Sequence, residues 1–269
     1  MPQAEVTKSA FLHGGDFNVD NLPKVAIICA NYNYSDYIVD AMKSIVNQTY
    51  KGEIRLYVVD DGSSDDSWEK IQNFKTTYGV QHLHDLEKLN VKKIKNSGAS
   101  VARNTAIEMC WDWADIIGVL DADDAYYPEK VEKLVAKLVA HDEVGVACAD
   151  YHNVFPSYTK REFKKPYDRG LLQRECIVHS NSLIKKKYLE QVVNPNGEIY
   201  NSKLHGPASQ PFIGCTEDYD LWLRLSQVCL FTHVPECLGL ANQHGRNQSM
   251  KMTQAIFNKN AKIIRGENE

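Results

Sequence analysis

Three apolar runs in the first half of this chain, Val25 to Ala30, Ile54 to Val59 and Ile116 to Leu120, each stop abruptly at polar or acidic side chains. Apolar runs of that length, without alternation, read as strands buried on both faces. Segments of helical spacing lie between them: Ile38, Ala41, Met42, Ile45 and Val46, with Ser35 and Asp36 as capping candidates, then Trp68, Ile71 and Phe74. A third, after Gly98, carries Ala102, Ala106, Met109, Cys110 and Trp113. Beyond the third strand the pattern predicts a helix from Pro128, with Val131, Leu134, Val135, Leu138 and Val139 on its apolar face, and a strand from Val144 to Ala149. Strands alternating with helices predict βαβ units and an α/β fold with a largely parallel central sheet flanked by helices. In such sheets the carboxyl ends of the strands share one edge, where ligands gather.

The second half is less regular. Residues 150–215 are rich in Lys, Tyr and Asn and poor in periodicity, which predicts long loops over a binding face. A helix is expected from Thr216 to Val228 and two strand-like pieces at 230–234 and 238–242. Residues 1–23 are polar and read as an arm. At 251–265, Lys251, Lys259, Lys262 and Arg265 mix with Ile256, Phe257, Ile263 and Ile264. That mixture suits a peripheral helix packed on the domain, and secondarily a peripheral contact with a membrane surface.

With 43% hydrophobic and 25% charged residues, the 269-residue chain has the balance of an ordinary soluble protein able to bury a sizeable core. A formal net charge of −4 gives no attraction to nucleic acid. Seven scattered cysteines without a C-x-x-C pair predict reduced, buried thiols and a cytoplasmic setting.

The polar strand ends carry the chemistry. The first runs into Asn31-Tyr32-Asn33, the second into Asp60-Asp61-Gly62-Ser63-Ser64-Asp65, and the third into Asp121-Ala122-Asp123-Asp124. Carboxylates this close repel one another, and a divalent cation is the simplest compensation. Mg²⁺ and Mn²⁺ prefer oxygen ligands and share them with substrate phosphates, so Asp121 and Asp123 are the candidate metal–diphosphate pair. An acidic turn after a strand is the plainer explanation for a single D-x-D. Asp61 is a candidate to accept a hydrogen bond from a base or ribose, with Gly62 permitting the tight turn and Ser64 or Asp65 capping the next helix. A further acidic stretch, Glu217-Asp218-Tyr219-Asp220, opens the helix expected after Thr216. Acids there complement the helix dipole, worth ~0.3–1 kcal/mol. The spacing to Leu221, Trp222 and Leu225 puts Asp218 at the head of the apolar stripe, with Glu217 and Asp220 toward other faces. An inward carboxylate on a rigid helix suits a general base.

Taken together, Val25–Asn33, Asn47-Gln48-Thr49-Tyr50, Val58–Ser63, Gly98 with Ala102-Arg103-Asn104, Leu120–Asp124 and Glu217–Leu225 resemble a family 2 glycosyltransferase of the GT-A fold, in order and spacing over about residues 24–245. The resemblance implies a Rossmann-like nucleotide-sugar-binding half (24–149) and an acceptor-binding half (150–245), followed by a C-terminal segment (246–269). It implies an inverting, metal-dependent transfer from a nucleotide-diphosphate sugar, UDP-linked by preference, to a glycan, lipid-linked or protein acceptor. By position, Ala30, Asn31, Tyr32 and Asp61 would line the nucleotide, with Arg103 near its phosphates and Asp121 and Ala122 beside it. Asp123, Asp121 and His244 would hold Mn²⁺ or Mg²⁺, and Asp218 would be the base. Such enzymes usually carry Pro where this chain has Ala30.

Other classes fit less of the pattern. An aspartate-nucleophile phosphatase would use Asp121 and Asp123 but expects Thr or Val where Ala125 stands, and it leaves Asp61 and Asp218 idle. A nucleotidyltransferase wants a Gly-rich basic loop after the first strand. A non-catalytic nucleotide-sugar-binding scaffold would be expected to have lost the acidic pair or the base.

Overall fold

A computed structural model describes residues 22–82, 88–204, 216–247 and 253–265. The N-terminal arm expected at 1–23 lies almost wholly outside the described residues. Strands β1 (Val25–Asn31), β2 (Ile54–Asp60), β3 (Leu89–Lys93) and β4 (Ile116–Val119) form the parallel part of one sheet, in the order β3-β2-β1-β4. Helices α1 (Ile38–Val46), α2 (Ser67–His82) and α3 (Ala99–Cys110) connect them. Side chains alternate across β1: Ala26 and Ile28 join the core on one face, while Val25, Ile27 and Cys29 join the core on the other. This is why these strands read as continuous apolar runs. The first four residues of β1 pair with Ile116–Val119 of β4, and its full length pairs with β2, so Asn31, Asp60 and the start of the 121–124 segment meet at one edge.

Beyond β4 the sheet becomes mixed. It continues through β8 (Leu183–Lys185), β6 (Val144–Val154), β9 (Leu230–Asn242) and β5 (Asp124–Tyr126), with β7 (Thr159–Glu162) on β6. The expected parallel strand Val144–Ala149 is longer, and β8 separates it from β4 by two antiparallel pairings. The two strand-like pieces at 230–242 are one strand. Pairing with β6 jumps from Ala149–Val234 to Asp150–Cys237, so Pro235 and Glu236 bulge out of the ladder. Proline has no N–H to donate, which explains the break in the sequence pattern at that point.

Helix α4 (Lys130–Ala140) starts two residues after Pro128 and buries Val131, Leu134, Val135 and Leu138, while Val139 stays exposed. Two short helices, α5 (Arg169–Leu172) and α6 (Lys186–Leu189), break up the irregular segment. α7 (Glu217–Leu225) carries the second acidic group and packs against α8 (Gln254–Arg265). There the Phe257 ring meets Tyr219 at 5.3 Å, Ala261 is buried, and Asn260 donates to the Thr216 hydroxyl at 3.3 Å. The basic C-terminal helix is therefore docked on the domain. Tyr37 rather than Ser35 or Asp36 occupies the N-cap of α1, without a side-chain cap. Asp65 does cap its helix, accepting from Ser67 N at 3.0 Å. Among the described residues no helix is long and apolar enough to cross a membrane, and the six described cysteines are free thiols.

Candidate active site

The carboxyl edge of the parallel strands is built by side chains holding one another. Asn31 is buried and donates to Asp60 Oδ2 (2.9 Å) and Ser63 Oγ (3.2 Å). It fastens β1 to the β2 turn through its amide nitrogen. Asp61 is also buried. Its Oδ1 accepts from Ser97 N (2.7 Å), and its Oδ2 accepts from Gly98 N (2.8 Å) and Asn96 Nδ2 (3.1 Å). The carboxylate thus clamps the loop that launches α3. Gly62 adopts φ 75°, and a Cβ there would stand 2.7 Å from the Asn96 backbone nitrogen, so the turn requires glycine. Ala30 and Tyr32 are half-buried on either side of Asn31.

Arg103, on α3, is the hub. Its Nη1 donates to Glu217 Oε1 at 2.5 Å and lies 3.6 Å from Asp218 Oδ1. Its Nη2 donates to Asp121 Oδ1 at 2.9 Å, and its guanidinium carbon lies 5.3 Å from the centre of the Tyr200 ring. Burial alone would lower the pKa of this arginine, but Asp218, Asp121 and Glu217 push it well up. One buried cation therefore joins the two acidic stretches that the sequence set about a hundred residues apart. In the structure its Nη1 and Nη2 are directed at protein carboxylates.

The three acids after β4 have separate fates. Asp121 is held on both oxygens, by Arg103 and by Ser180 Oγ at 2.6 Å, while its N–H donates to Asn181 Oδ1 at 3.0 Å. Asp123 Oδ2 meets His244 Nε2 at 3.1 Å and Asn247 Nδ2 at 2.9 Å. Burial and the neighbouring Asp121 push its pKa up to about 7. Asp124 turns inward to accept from Asn181 Nδ2 (2.6 Å) and Asn242 N (3.2 Å), and burial with Asp121 and Asp123 raises its pKa well above the carboxylate range. Ala122 is buried between them.

His244 lies flat on Tyr37, with ring centres 4.7 Å apart, and edge-on to Tyr34. Its Nδ1 accepts the Arg246 N–H at 3.2 Å, so the neutral ring carries its proton on Nε2 and donates it to Asp123. Burial, then the Arg246 charge, lowers its pKa and keeps it neutral. Among the described residues no cluster of three or more His, Cys, Asp or Glu forms a complete metal cage. The Asp123–His244 pair nevertheless fits a divalent cation that takes its remaining ligands from a diphosphate, the habit of Mg²⁺. The fit is electrostatic as well: a desolvated, repelled carboxylate gains from any cation that replaces its proton. Binding through His244 Nε2 would require that nitrogen's proton to leave or move to Nδ1, where it would meet the Arg246 N–H.

In α7 the expected facing is corrected. Glu217 and Asp220 are buried, and Asp218 is the acid left partly open, its side chain 20% exposed. The helix is enclosed on nearly all sides, with Tyr219, Leu221, Trp222, Leu223 and Leu225 buried, so a single apolar stripe does not describe it. Asp220 is bound by Arg224 through Nε (3.0 Å) and Nη2 (2.6 Å). Thr216 occupies the N-cap position but makes no side-chain cap; its hydroxyl serves Asn260 instead.

Sequence reasoning missed Ser180, Asn181, Asn242 and Asn247, the neutral donors that hold the acidic turn. Lys130 is a further buried group near the turn. Its ammonium is buried 3.8 Å from the centre of the Tyr126 ring, and burial lowers its pKa to about 7 against the pull of Asp124 and Asp121. The one available signal was the density of Asn and Ser at 180–182 and 242–247.

The parallel sheet of β1–β4 with its connecting helices, extended beyond β4 by antiparallel strands, has the GT-A fold of glycosyltransferases. Within that class, this chain belongs to glycosyl transferase family 2, whose family model matches residues 26–193. It is 26% identical over 259 residues to an uncharacterized glycosyltransferase of Haemophilus influenzae, covering 93% of this chain and 74% of that protein. It is also 26% identical over 248 residues to a chondroitin synthase of Escherichia coli, covering 90% of this chain but 32% of the synthase. Among solved structures it resembles Staphylococcus aureus TarS in complex with UDP-GlcNAc (TM-score 0.65, 14% identity, 90% of this chain and 66% of that one). It likewise resembles the mannosyltransferase PcManGT of Pyrobaculum calidifontis in complex with GDP-Man and Mn²⁺ (TM-score 0.60, 18% identity, 87% and 61%). The chain thus spans about a third of the synthase and under two thirds of the mannosyltransferase.

Proposed function

We propose that this family 2 glycosyltransferase takes a sugar from a nucleoside diphosphate, UDP foremost, and passes it with inversion to a hydroxyl of a glycan, lipid-linked or protein acceptor. The observation that carries the proposal is the Arg103 hub, which brings Asp121 at the donor edge and Asp218 on α7 to one guanidinium. In this reading Asp218 accepts the proton of the attacking hydroxyl. It is the partly open acid of α7, while Glu217 and Asp220 are committed to Arg103 and Arg224. A positioned base contributes ~10²–10⁴-fold to rate. Attack from the face opposite the diphosphate inverts the anomeric carbon and needs no carboxylate nucleophile. Asp123 and His244 would hold Mn²⁺ or Mg²⁺, which when bound neutralises charge on the leaving diphosphate. Ala30, Tyr32 and Asp61 would border the base and ribose, with Asp61 acting through the loop it clamps. The UDP-GlcNAc and GDP-Man complexes of the structural relatives support a nucleotide-sugar donor. Both oxygens of Asp121 are engaged, by a guanidinium and a hydroxyl, which argues against its use as a phosphatase nucleophile.

Calorimetric titration of UDP, GDP, CDP and dTDP, each with Mn²⁺ and with EDTA, tests the donor site. Base-selective binding that requires the metal supports the proposal. Absence of binding to all four would overturn it.

A further inference from the structure

The hairpin of β6 and β7 is not used by the chemistry above, yet its foot stands in the site. Tyr151, at the foot, packs on His179 with ring centres 4.1 Å apart. The next residue, Ser180, donates to Asp121. Asn153 accepts from Gln243 Nε2 at 2.9 Å, beside His244. In the ladder Tyr151 pairs with Glu162 and Asn153 with Lys160, so these four share one face of the hairpin. Lys164 reaches the same face, its ammonium 5.4 Å from the centre of the Tyr151 ring.

Charge on this face is out of keeping with the rest of the molecule. The chain carries a net −4, and the active-site edge is crowded with carboxylates. Here Lys160 and Lys164 stand with a single acid, Glu162, which already accepts from Asn153 Nδ2 at 3.4 Å. Among the described residues neither ammonium has a carboxylate within ion-pair distance. Arg161, on the opposite face, is by contrast committed to the buried Asp150 at 2.9 Å. The Lys164 charge is felt deep in the site. The Cys176 thiol, pushed up to about 12 chiefly by burial, is drawn down by Lys164 and raised by Asp218. His179 is held neutral by burial together with Lys164 and Lys130. Exposed Tyr158 adds a flat apolar ring near the hairpin tip, a surface on which the C–H face of a sugar can lie.

We propose that the Lys160–Lys164 face of the β6–β7 hairpin is an acceptor subsite that binds the repeated anionic groups, carboxylate or phosphodiester, of a growing polymer whose terminal hydroxyl faces Asp218. The inference rests on the transferase reading and names the class of its acceptor. The hairpin ladder of four residues spans about 10 Å, so it engages acceptor units behind the reacting one. Placing the cations there keeps an anionic chain attached without bringing its charges against the catalytic carboxylates. A membrane is disfavoured as the occupant because the lysine face continues through Tyr151 and His179 into the site.

The test uses the full chain and four fluorescent or vesicle probes: an unsulfated chondroitin decasaccharide, a glycerol-phosphate oligomer, neutral maltodecaose, and phosphatidylglycerol vesicles. Binding of one or both anionic oligomers, falling as salt rises, is expected, and which of them binds identifies the anion. The K160A/K164A double variant should bind that oligomer about tenfold more weakly or less, while UDP titration with Mn²⁺ reports its donor site separately. Equal binding of maltodecaose, or oligomer binding unchanged in the variant, would overturn the proposal. So would binding to vesicles alone. If the wild-type chain bound the anionic oligomer but no nucleotide, the transferase reading would fall while the hairpin's preference for anions still stood.

Discussion

Two acidic stretches of similar composition, Asp121–Asp124 and Glu217–Asp220, are treated in opposite ways by the fold. In α7 each buried acid has a guanidinium: Glu217 has Arg103 and Asp220 has Arg224. The positive end of the helix adds to that balance. At the end of β4, Arg103 serves Asp121 alone, and Asp123 and Asp124 rely on neutral donors, Asn247, His244, Asn181 and Asn242. Neutral donors satisfy lone pairs without cancelling charge, so both carboxylates are driven toward protonation. One stretch is charge-balanced as folded. The other is short of positive charge.

The largest effect expected is on chemistry. Asp218→Asn should keep nucleotide binding and lower transfer by ~10²–10⁴-fold, read as nucleoside diphosphate released in the presence of acceptor; near-normal turnover would place the base elsewhere. Glu217→Ala attacks the balanced stretch by leaving the buried Arg103 without its shortest partner. It should cost about 3 kcal/mol, the low end for an orphaned buried ion, because Asp121 and Asp218 remain; denaturant titration gives the value. The unbalanced stretch is sharpened by pH. Unfolded, Asp123 ionises near ~3.9, whereas in the fold it does so at about 7. Between these values the native state keeps a proton that the unfolded state has released, so this group's contribution to stability falls as pH rises through the window. Mn²⁺ should therefore raise Tm more at about pH 8 than at about pH 5, by ~2–4 °C for each kcal/mol of binding. A pH-independent shift would detach the metal from Asp123. The smallest effect belongs to the exposed Asp36–Arg246 pair, half or more open on both sides. Arg246→Ala should change stability by less than about 1 kcal/mol in thermal melts.

The same comparison shows what could be read from the chain. Strand ends and helix periodicity on the donor side were legible because a parallel strand buried on both faces leaves an unbroken apolar run, as Ile116–Leu120 does. The D-x-D and the α7 acids were legible as residue types at set spacing. Their partners were not. Asn181 and Asn247 come from loops, and an amide that reaches a carboxylate through space leaves no periodic trace. Asn31 and Asp61 sat where the sequence put them, yet their side chains turned to hold neighbouring loops, a choice made by packing. The inward face assigned to Asp218 failed because α7 is enclosed nearly all round, so spacing could not rank its acids.

The Arg103 contacts also fix an order of events. Its bond to Asp121 closes 18 residues of chain, and its bond to Glu217 closes 114. Short closures cost less entropy and form sooner than long ones. The Arg103–Asp121 contact between α3 and the turn after β4 can thus form while α7 is still unattached, whereas the bonds of Asp123 to His244 and Asn247 close 121 and 124 residues and are the longer-range step. The acidic turn after β4 and the acids of α7 are accordingly finished together, by closures of similar length, so a partly folded chain should have neither arrangement complete.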